Sequence, residues 1–411
     1  MLYFDFKKRE IEYFLDICER NVIMDYFNVL LSVVTRTISK LVPKKKNRWV
    51  FGSWFGNNIS DNSKAIYEYI LENNKEIEIV WVVRDPDKYK DMPCKVVRRN
   101  SVKGCWTVLR SQVAIFNQGY VDFCTFNIIG GAYSVQLWHG VAWKKIGIDG
   151  WDEPKRLKDK IYRKAFKMVA RYSLFIAPAD NYAEVLKSAF NAPEDRIIKV
   201  GQPRNDILFN EEKNILMHNE VLNELNISDK NTKIVLYMPT FRDKKQKILS
   251  FFDGTHFERA NQLAKVNNCI IIEKSHFKDS QRKEEDSLST EGIYALPNYD
   301  AMKLLGAADI LITDYSSCFF DFVVKDKPII YYLYDYEYYK NKDRGLYYEY
   351  SDIAGGTVAF DDNELFKAIE DNLTNPELEK DKREKLFREY VTYESSENSK
   401  KIVNRIKSEC R

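Results

Sequence analysis

The seven cysteines (Cys18, Cys94, Cys105, Cys124, Cys269, Cys318 and Cys410) form no CxxC pair and stand at no Cys/His metal-ligand spacing. That argues against a structural zinc site and a disulfide framework, and it fits a reducing compartment where thiols act as small apolar residues. No secretory signal pattern opens the chain, so a cytoplasmic location is expected. Long apolar runs are also missing. Within the lipid-like stretch Asn21–Val42, the longest uncharged run is Tyr26–Thr35, about half of what a bilayer-spanning helix needs. Net charge is +3, too small to direct partner choice, and no nucleic-acid partner is expected. There is no internal repeat and no low-complexity linker.

What remains is a chain of 411 residues, 45% hydrophobic and 30% charged, long enough for two ordinary globular domains. The segment 1–47 reads as N-terminal and helical. Its apolar stretch ends in Arg36, Lys40 and Lys44-Lys45-Lys46, which suits either an anionic interface or a helix packed on its own domain. From Arg48 onward strands and helices alternate: Arg48–Gly52, a helix capped at Ser60 or Asp61, Glu76–Val83, Lys95–Val97, a helix Val102–Leu109, and Gln112–Asn117. This rhythm predicts a parallel sheet covered on both faces. A second series begins at Ser173 with Leu174–Pro178, a helix Asn181–Phe190, and Arg196–Val200. It continues with Lys233–Met238, Cys269–Glu273, Gly292–Leu296, Ile310–Asp314 and Pro328–Leu333. The expected division is 48–172 and 173–375, with a charged helical tail over 376–411.

Chemistry collects at strand ends. Gln136-Leu137-Trp138-His139-Gly140 delivers a histidine to the edge of the sheet where ligands of open α/β sheets sit. With four histidines in the chain, His139 is a candidate general base, beside the plainer reading of a structural histidine. In the second series the strand ends carry Arg204, Arg242, Lys274 with His276, and Ser316 with Ser317, all expected on one edge of one sheet. Tyr315-Ser316-Ser317 opens a helix, where hydroxyls either cap it or help backbone N–H groups hold a phosphate. Arg, His and hydroxyls with few acidic ligands suggest a diphosphate bound without a metal and without a cofactor. Asp243, Asp314 and Asp321 are the carboxylates that keep a metal open. Trp151–Arg171 holds eight basic residues on an amphipathic helix, which either faces solvent or meets lipid headgroups. The tyrosine-dense Tyr331–Tyr339 either packs a half-buried loop or stacks a base.

Taken together, several motifs resemble the CDP-glycerol glycerophosphotransferase family of teichoic acid synthesis. They are Gln136–Gly140 with Lys144-Lys145-Ile146-Gly147, Gly201-Gln202-Pro203-Arg204-Asn205-Asp206, Tyr237-Met238-Pro239-Thr240-Phe241-Arg242-Asp243, Ala308–Ser317 with Phe320-Asp321-Phe322, Lys327–Ile330, and Arg344-Gly345. The resemblance spans roughly Arg48 to Phe360. It implies an α/β GT-B fold, two Rossmann-like domains with the active site in the cleft between them. It also implies transfer of a polyol phosphate, glycerol or ribitol, from a CDP-polyol to a hydroxyl of an undecaprenyl-diphosphate-linked saccharide, releasing CMP, for wall teichoic acid or a capsule. By the same likeness His139 and His276 are catalytic candidates. Arg204, Asn205, Thr240, Arg242, Asp314, Ser316 and Ser317 are substrate-binding candidates. The enzyme would work as a peripheral protein on the anionic inner face of the cell membrane. Val141-Ala142-Trp143 departs from the family's usual residues after His-Gly, which bears on acceptor recognition. The absence of a long extra N-terminal domain fits a primase-like member. The alternatives are a GT-B nucleotide-sugar glycosyltransferase and a non-catalytic lipid-carrier-binding subunit.

Overall fold

The computed structural model describes residues 22–240, 250–274, 289–290, 292–337 and 345–410. Two seven-stranded sheets organise it. The first contains β1 (Lys45–Phe51), β2 (Glu78–Val83), β3 (Lys95–Arg98), β4 (Ser111–Phe116), β5 (Tyr133–Gln136), β6 (Leu174–Ala177) and β7 (Ile197–Lys199), in the order β3-β2-β1-β4-β5-β6-β7. All its pairings are parallel. The second contains β8 (Lys233–Met238), β9 (Cys269–Glu273), β10 (Ser289–Thr290), β11 (Ile293–Ala295), β12 (Ile310–Thr313), β13 (Ile329–Tyr332) and β14 (Thr357–Ala359). Its order is β10-β11-β9-β8-β12-β13-β14, parallel except for β10 against β11.

The strands are short apolar runs because both faces of each sheet are covered. Val80, Val82 and Phe116 belong to one buried layer, and Trp49, Phe51, Trp81 and Val135 to the opposite one. In the second sheet Leu236, Ile272 and Leu311 alternate with Val235, Ile271 and Ile312 in the same manner. Both strand orders reverse direction once, at β1/β4 and at β8/β12, and such switch points open crevices at the carboxyl ends of strands.

The expected boundary at residue 173 is corrected by the sheets. β6 and β7 pair with β5 and extend the first sheet, so the first lobe runs on to Lys199. Alternation in sequence reports that strands exist but not which sheet they join. Over 376–411, where a charged helical tail is expected, the chain forms two packed helices. Lys380–Tyr390 buries Leu386 and Tyr390, and Asn398–Glu409 returns to the first lobe, where Ile402, Val403 and Ile406 complete a core layer with Phe51, Trp81 and Val135.

The helix Val22–Ser39 packs on the helix Leu157–Val169, and the Arg36 guanidinium donates to the Arg171 carbonyl at 2.8 Å. Part of its surface is left open: Phe27, Leu30, Val34 and Ile38 are exposed, as are Leu157, Ile161 and Met168 on its neighbour. Among the described residues no helix is long and apolar enough to cross a membrane.

Candidate active site

The two lobes meet at Arg204, which follows β7 in the turn Pro203–Phe209. Its Nη1 donates to Asp61 Oδ1 at 2.7 Å and to the His139 carbonyl at 3.1 Å. Its Nε and Nη2 donate to Asp321 at 3.2 and 2.7 Å. Asp61 belongs to the first lobe and Asp321 to the helix Cys318–Phe322 of the second. One guanidinium thus ties helix starts from both lobes to the histidine loop. This revises two expectations. Arg204 comes from the edge of the first sheet, not the second, and two carboxylates already occupy its fork instead of leaving it open to a diphosphate.

His139 sits directly beyond β5. Gly140 takes φ 128°, and a Cβ there would stand 2.8 Å from Arg204 Nη2 and 3.4 Å from Ser317 Oγ. Only glycine allows that approach, which brings the histidine loop against the second lobe's Ser316-Ser317. Both serines are part-exposed and lie at the start of Cys318–Phe322. Ser317 is the N-cap without using its side chain as a cap. Burial lowers the His139 imidazole to about 4, with the Arg204 charge acting in the same direction and Asp61 opposing it. At neutral pH the ring is therefore uncharged.

At the switch point of the second sheet, Asp314 joins the ends of β8 and β12. It accepts from Thr240 N at 2.8 Å, Thr240 Oγ1 at 2.6 Å and Tyr315 N at 2.6 Å. Thr240 and Asp314 fix the two loops that frame the serines. Asn205 is turned inward: it is buried, and its Nδ2 donates to Glu394 at 3.1 Å. It belongs to the joint between the lobes and not to a ligand-facing wall, because Gly201–Asp206 is a buried linker. His276, Arg242, Asp243 and Arg344 lie outside the described residues. Lys274 is used locally, donating to the Pro297 carbonyl at 2.9 Å.

Val141, Ala142 and Trp143 are buried. Trp143 Nε1 donates to the Tyr348 carbonyl at 3.0 Å, and its ring packs on Tyr315 and Phe319 of the second lobe. Lys145 N donates to Gly345 O at 3.0 Å, a second seam between the lobes. This stretch therefore serves lobe packing. Tyr331 and Tyr332 are likewise core residues.

Two residues of the site are absent from the motif reading, Trp54 and Asp61. Trp54 follows β1 at the first switch point and lies with its ring centroid 5.4 Å from that of His139. An aromatic pair before a glycine at the end of a strand, Trp54-Phe55-Gly56, was the available signal. Asp61 reads from sequence as a helix cap only.

This pair of parallel α/β lobes sets the histidine loop against a serine-led helix start, and the family to which the chain belongs makes it a transferase. The chain belongs to the CDP-glycerol:poly(glycerophosphate) glycerophosphotransferase family, whose model matches residues 34–408. It is 29% identical over 401 residues to a teichoic acid poly(glycerol phosphate) polymerase of Bacillus spizizenii, covering 94% of this chain and 98% of that one. It is 28% identical to a teichoic acid glycerol-phosphate transferase of Staphylococcus aureus, covering 90% and 96%. Among solved structures, the wall teichoic acid polymerase TagF has the same fold, with TM-score 0.76 and 23% identity over 95% of this chain and 97% of that one. Because a protein named as a polymerase matches over nearly its whole length, compactness does not mark a primase.

Proposed function

We propose that this enzyme transfers glycerol phosphate from CDP-glycerol to a hydroxyl of a lipid-diphosphate-linked acceptor, in the cleft between the lobes. The observation that supports the reading is the close approach to Ser317 of Gly140, which follows the neutral His139 and whose added Cβ would stand 3.4 Å from Ser317 Oγ. In the reaction, His139 Nε2 takes the proton of the acceptor hydroxyl as its oxygen attacks the β-phosphorus in line. The bond from that phosphorus to the bridging oxygen breaks, and CMP leaves with the electron pair. Ser316, Ser317 and the helix start donate to the phosphates as charge shifts toward the leaving group, so positioning and charge stabilisation do most of the catalytic work. Arg242 and His276 are further proposed donors to the diphosphate. Thr240 and Asp314 hold the walls. Arg204 acts one step back, holding the His139 carbonyl.

Glycerol is favoured over ribitol by the wording of the matching family model and of the relatives reported above. The exposed apolar residues of Val22–Ser39 and Leu157–Val169, bordered by Lys155, Lys158, Lys160, Lys164 and Lys167, are proposed to rest on an anionic membrane, where a lipid-linked acceptor would be found. The test is mass spectrometry of the product formed from a synthetic lipid-linked disaccharide offered CDP-glycerol, CDP-ribitol and UDP-sugars. One glycerol phosphate or more on the acceptor is expected. Transfer of sugar instead would overturn the reading. His139→Ala is expected to lower turnover at least ~100-fold with the fold intact, and unchanged turnover would remove His139 from the base role.

A further inference from the structure

Among the described residues, the imidazole of His139 lacks the partner that usually orients a proton-transferring histidine. Its Nδ1 is buried and makes no hydrogen bond. Asp61, the carboxylate whose charge bears on it, is engaged by Arg204 at 2.7 Å. What does pack on the ring is a pair of indoles. Trp138 stacks on it with centroids 4.4 Å apart and planes inclined by 27°, and Trp54 lies at 5.4 Å and 47°.

Both indoles reach the ring from backbone that L-residues avoid. Trp138 has φ 55°, Trp54 φ 45° and Phe55 φ 58°. In a strand, successive side chains point to opposite faces, so Trp138 and His139 could not stack if β5 simply continued. The left-handed residue swings them onto one side. Such a conformation costs on the order of 1–3 kcal/mol and persists only where the surroundings over-determine it.

They do so here. Asn62 Nδ2 donates to the Trp138 carbonyl at 3.1 Å, and the Trp138 ring meets Phe190 edge-on at 5.2 Å. In the other loop, Trp54 N donates to Gln118 Oε1 and Phe55 N to Asp122 Oδ1, each at 2.7 Å. Arg84 Nε donates to the Phe55 carbonyl at 3.1 Å. Asp122 is fully buried and also accepts from Asn117 N and Gln118 N, at 2.9 Å each. Two loops far apart in sequence are each held in strained backbone, and each presents an indole to the same imidazole.

We propose that Trp54 and Trp138 are positioning residues for His139, an indole pair that fixes the ring and keeps water from Nδ1 in place of a carboxylate. This rests on the base role proposed for His139. The charged groups facing the ring are Asp61 from Asp61–Asn73 and Arg204 from the turn after β7, with Asp321 of the second lobe behind Arg204. Asp122 lies under the Trp54 loop. Opening one side of the ring lets water solvate its charged form, so its titration moves up toward the ordinary value of about 6.5.

The test is an NMR titration of the full chain carrying isotope-labelled histidine, with the His139 signal assigned by its loss in His139→Ala. The wild type is expected to titrate near the value of about 4 that burial imposes. Trp54→Leu should titrate at least about one unit higher, and Trp54→Phe, which keeps a ring, should stay with the wild type. If Trp54→Leu does not fold, Trp138→Leu carries the same expectation. In transfer assays the acid limb of kcat/KM should move by the same shift, with KM for the CDP-polyol unchanged. A folded leucine variant whose His139 titrates as in the wild type overturns the proposal. A shifted titration in a protein that transfers nothing leaves the indole pair standing and removes the base role instead.

Discussion

Replacing Arg204 by methionine should destabilise the protein far more than a surface ion pair would, and in a pH-dependent manner. The Arg204 side chain is 12% exposed, and its partners Asp61 and Asp321 are 5% and 6% exposed. Removing one member of such a buried set leaves carboxylates without compensation, a loss of about 3–5 kcal/mol. At about 4 kcal/mol the folding equilibrium constant falls nearly a thousandfold, since about 1.4 kcal/mol is a factor of ten. The sign of the pH dependence follows from Asp321. Burial already raises its pKa, Arg204 pulls it down, and Asp61 pushes it up. Without Arg204, burial and Asp61 push the value up against only the weaker hydrogen bond from Asn205, so the folded state holds a proton that the unfolded chain gives up near the usual value of about 3.9. That stabilisation is complete below the unfolded value and is lost as pH rises through the folded one. The deficit of Arg204→Met should therefore be smaller at about pH 5 than at about pH 8. Urea denaturation followed by tryptophan fluorescence at both pH values reads it. Adding Asp61→Asn and Asp321→Asn should restore most of the loss, because asparagine tolerates the left-handed φ of 65° at Asp61 and removes the stranded charges. A loss below about 1 kcal/mol, or a triple variant no more stable than the single one, would refute the reasoning.

Two further predictions follow from other parts of the molecule. Glu394 is buried between the lobes, accepting from Gln202 N at 2.8 Å and Asn398 Nδ2 at 2.9 Å, and burial pushes its carboxyl up to about 8. Because its folded value lies above the unfolded one, stability should fall as pH rises toward about 8, by up to about 1.4 kcal/mol per unit, and Glu394→Gln should flatten that slope in urea titrations. For the face proposed to rest on a membrane, sedimentation with vesicles containing anionic lipid should be strong and salt-sensitive. Leu30→Ser with Ile161→Ser should reduce it at least several-fold without altering the thermal melt, whereas equal sedimentation with neutral vesicles would argue against the charge contribution.

Much of this arrangement could be read from the chain. Apolar runs of four to six residues bounded by turn signals located β8, β9, β12 and β13 almost to the residue. Gly140 after His139 signalled a close backbone approach. Membership of a sheet was harder, since β6 and β7 look like any parallel strands until their neighbours are known. Partners were hardest of all. Arg204 meets Asp61 and Asp321 across 143 and 117 residues, and no local periodicity records such a meeting. A basic residue at a strand end therefore looked like a ligand clamp when it is a tie between lobes. Trp54 escaped for a related reason: the aromatic pair before Gly56 marks a turn, but the left-handed backbone that aims the indole at His139 is enforced by Gln118 and Asp122 from a distant loop.

The return of Asn398–Glu409 to the first lobe bears on how the protein is made. Ile402, Val403 and Ile406 fill the layer beneath β1, β2 and β5, so the half of the molecule that leaves the ribosome earlier cannot finish its interior until the other half has been synthesised behind it. A nascent chain stalled after β14 would present an uncovered greasy floor to chaperones. Closing the first lobe thus depends on a helix that is made after the second lobe.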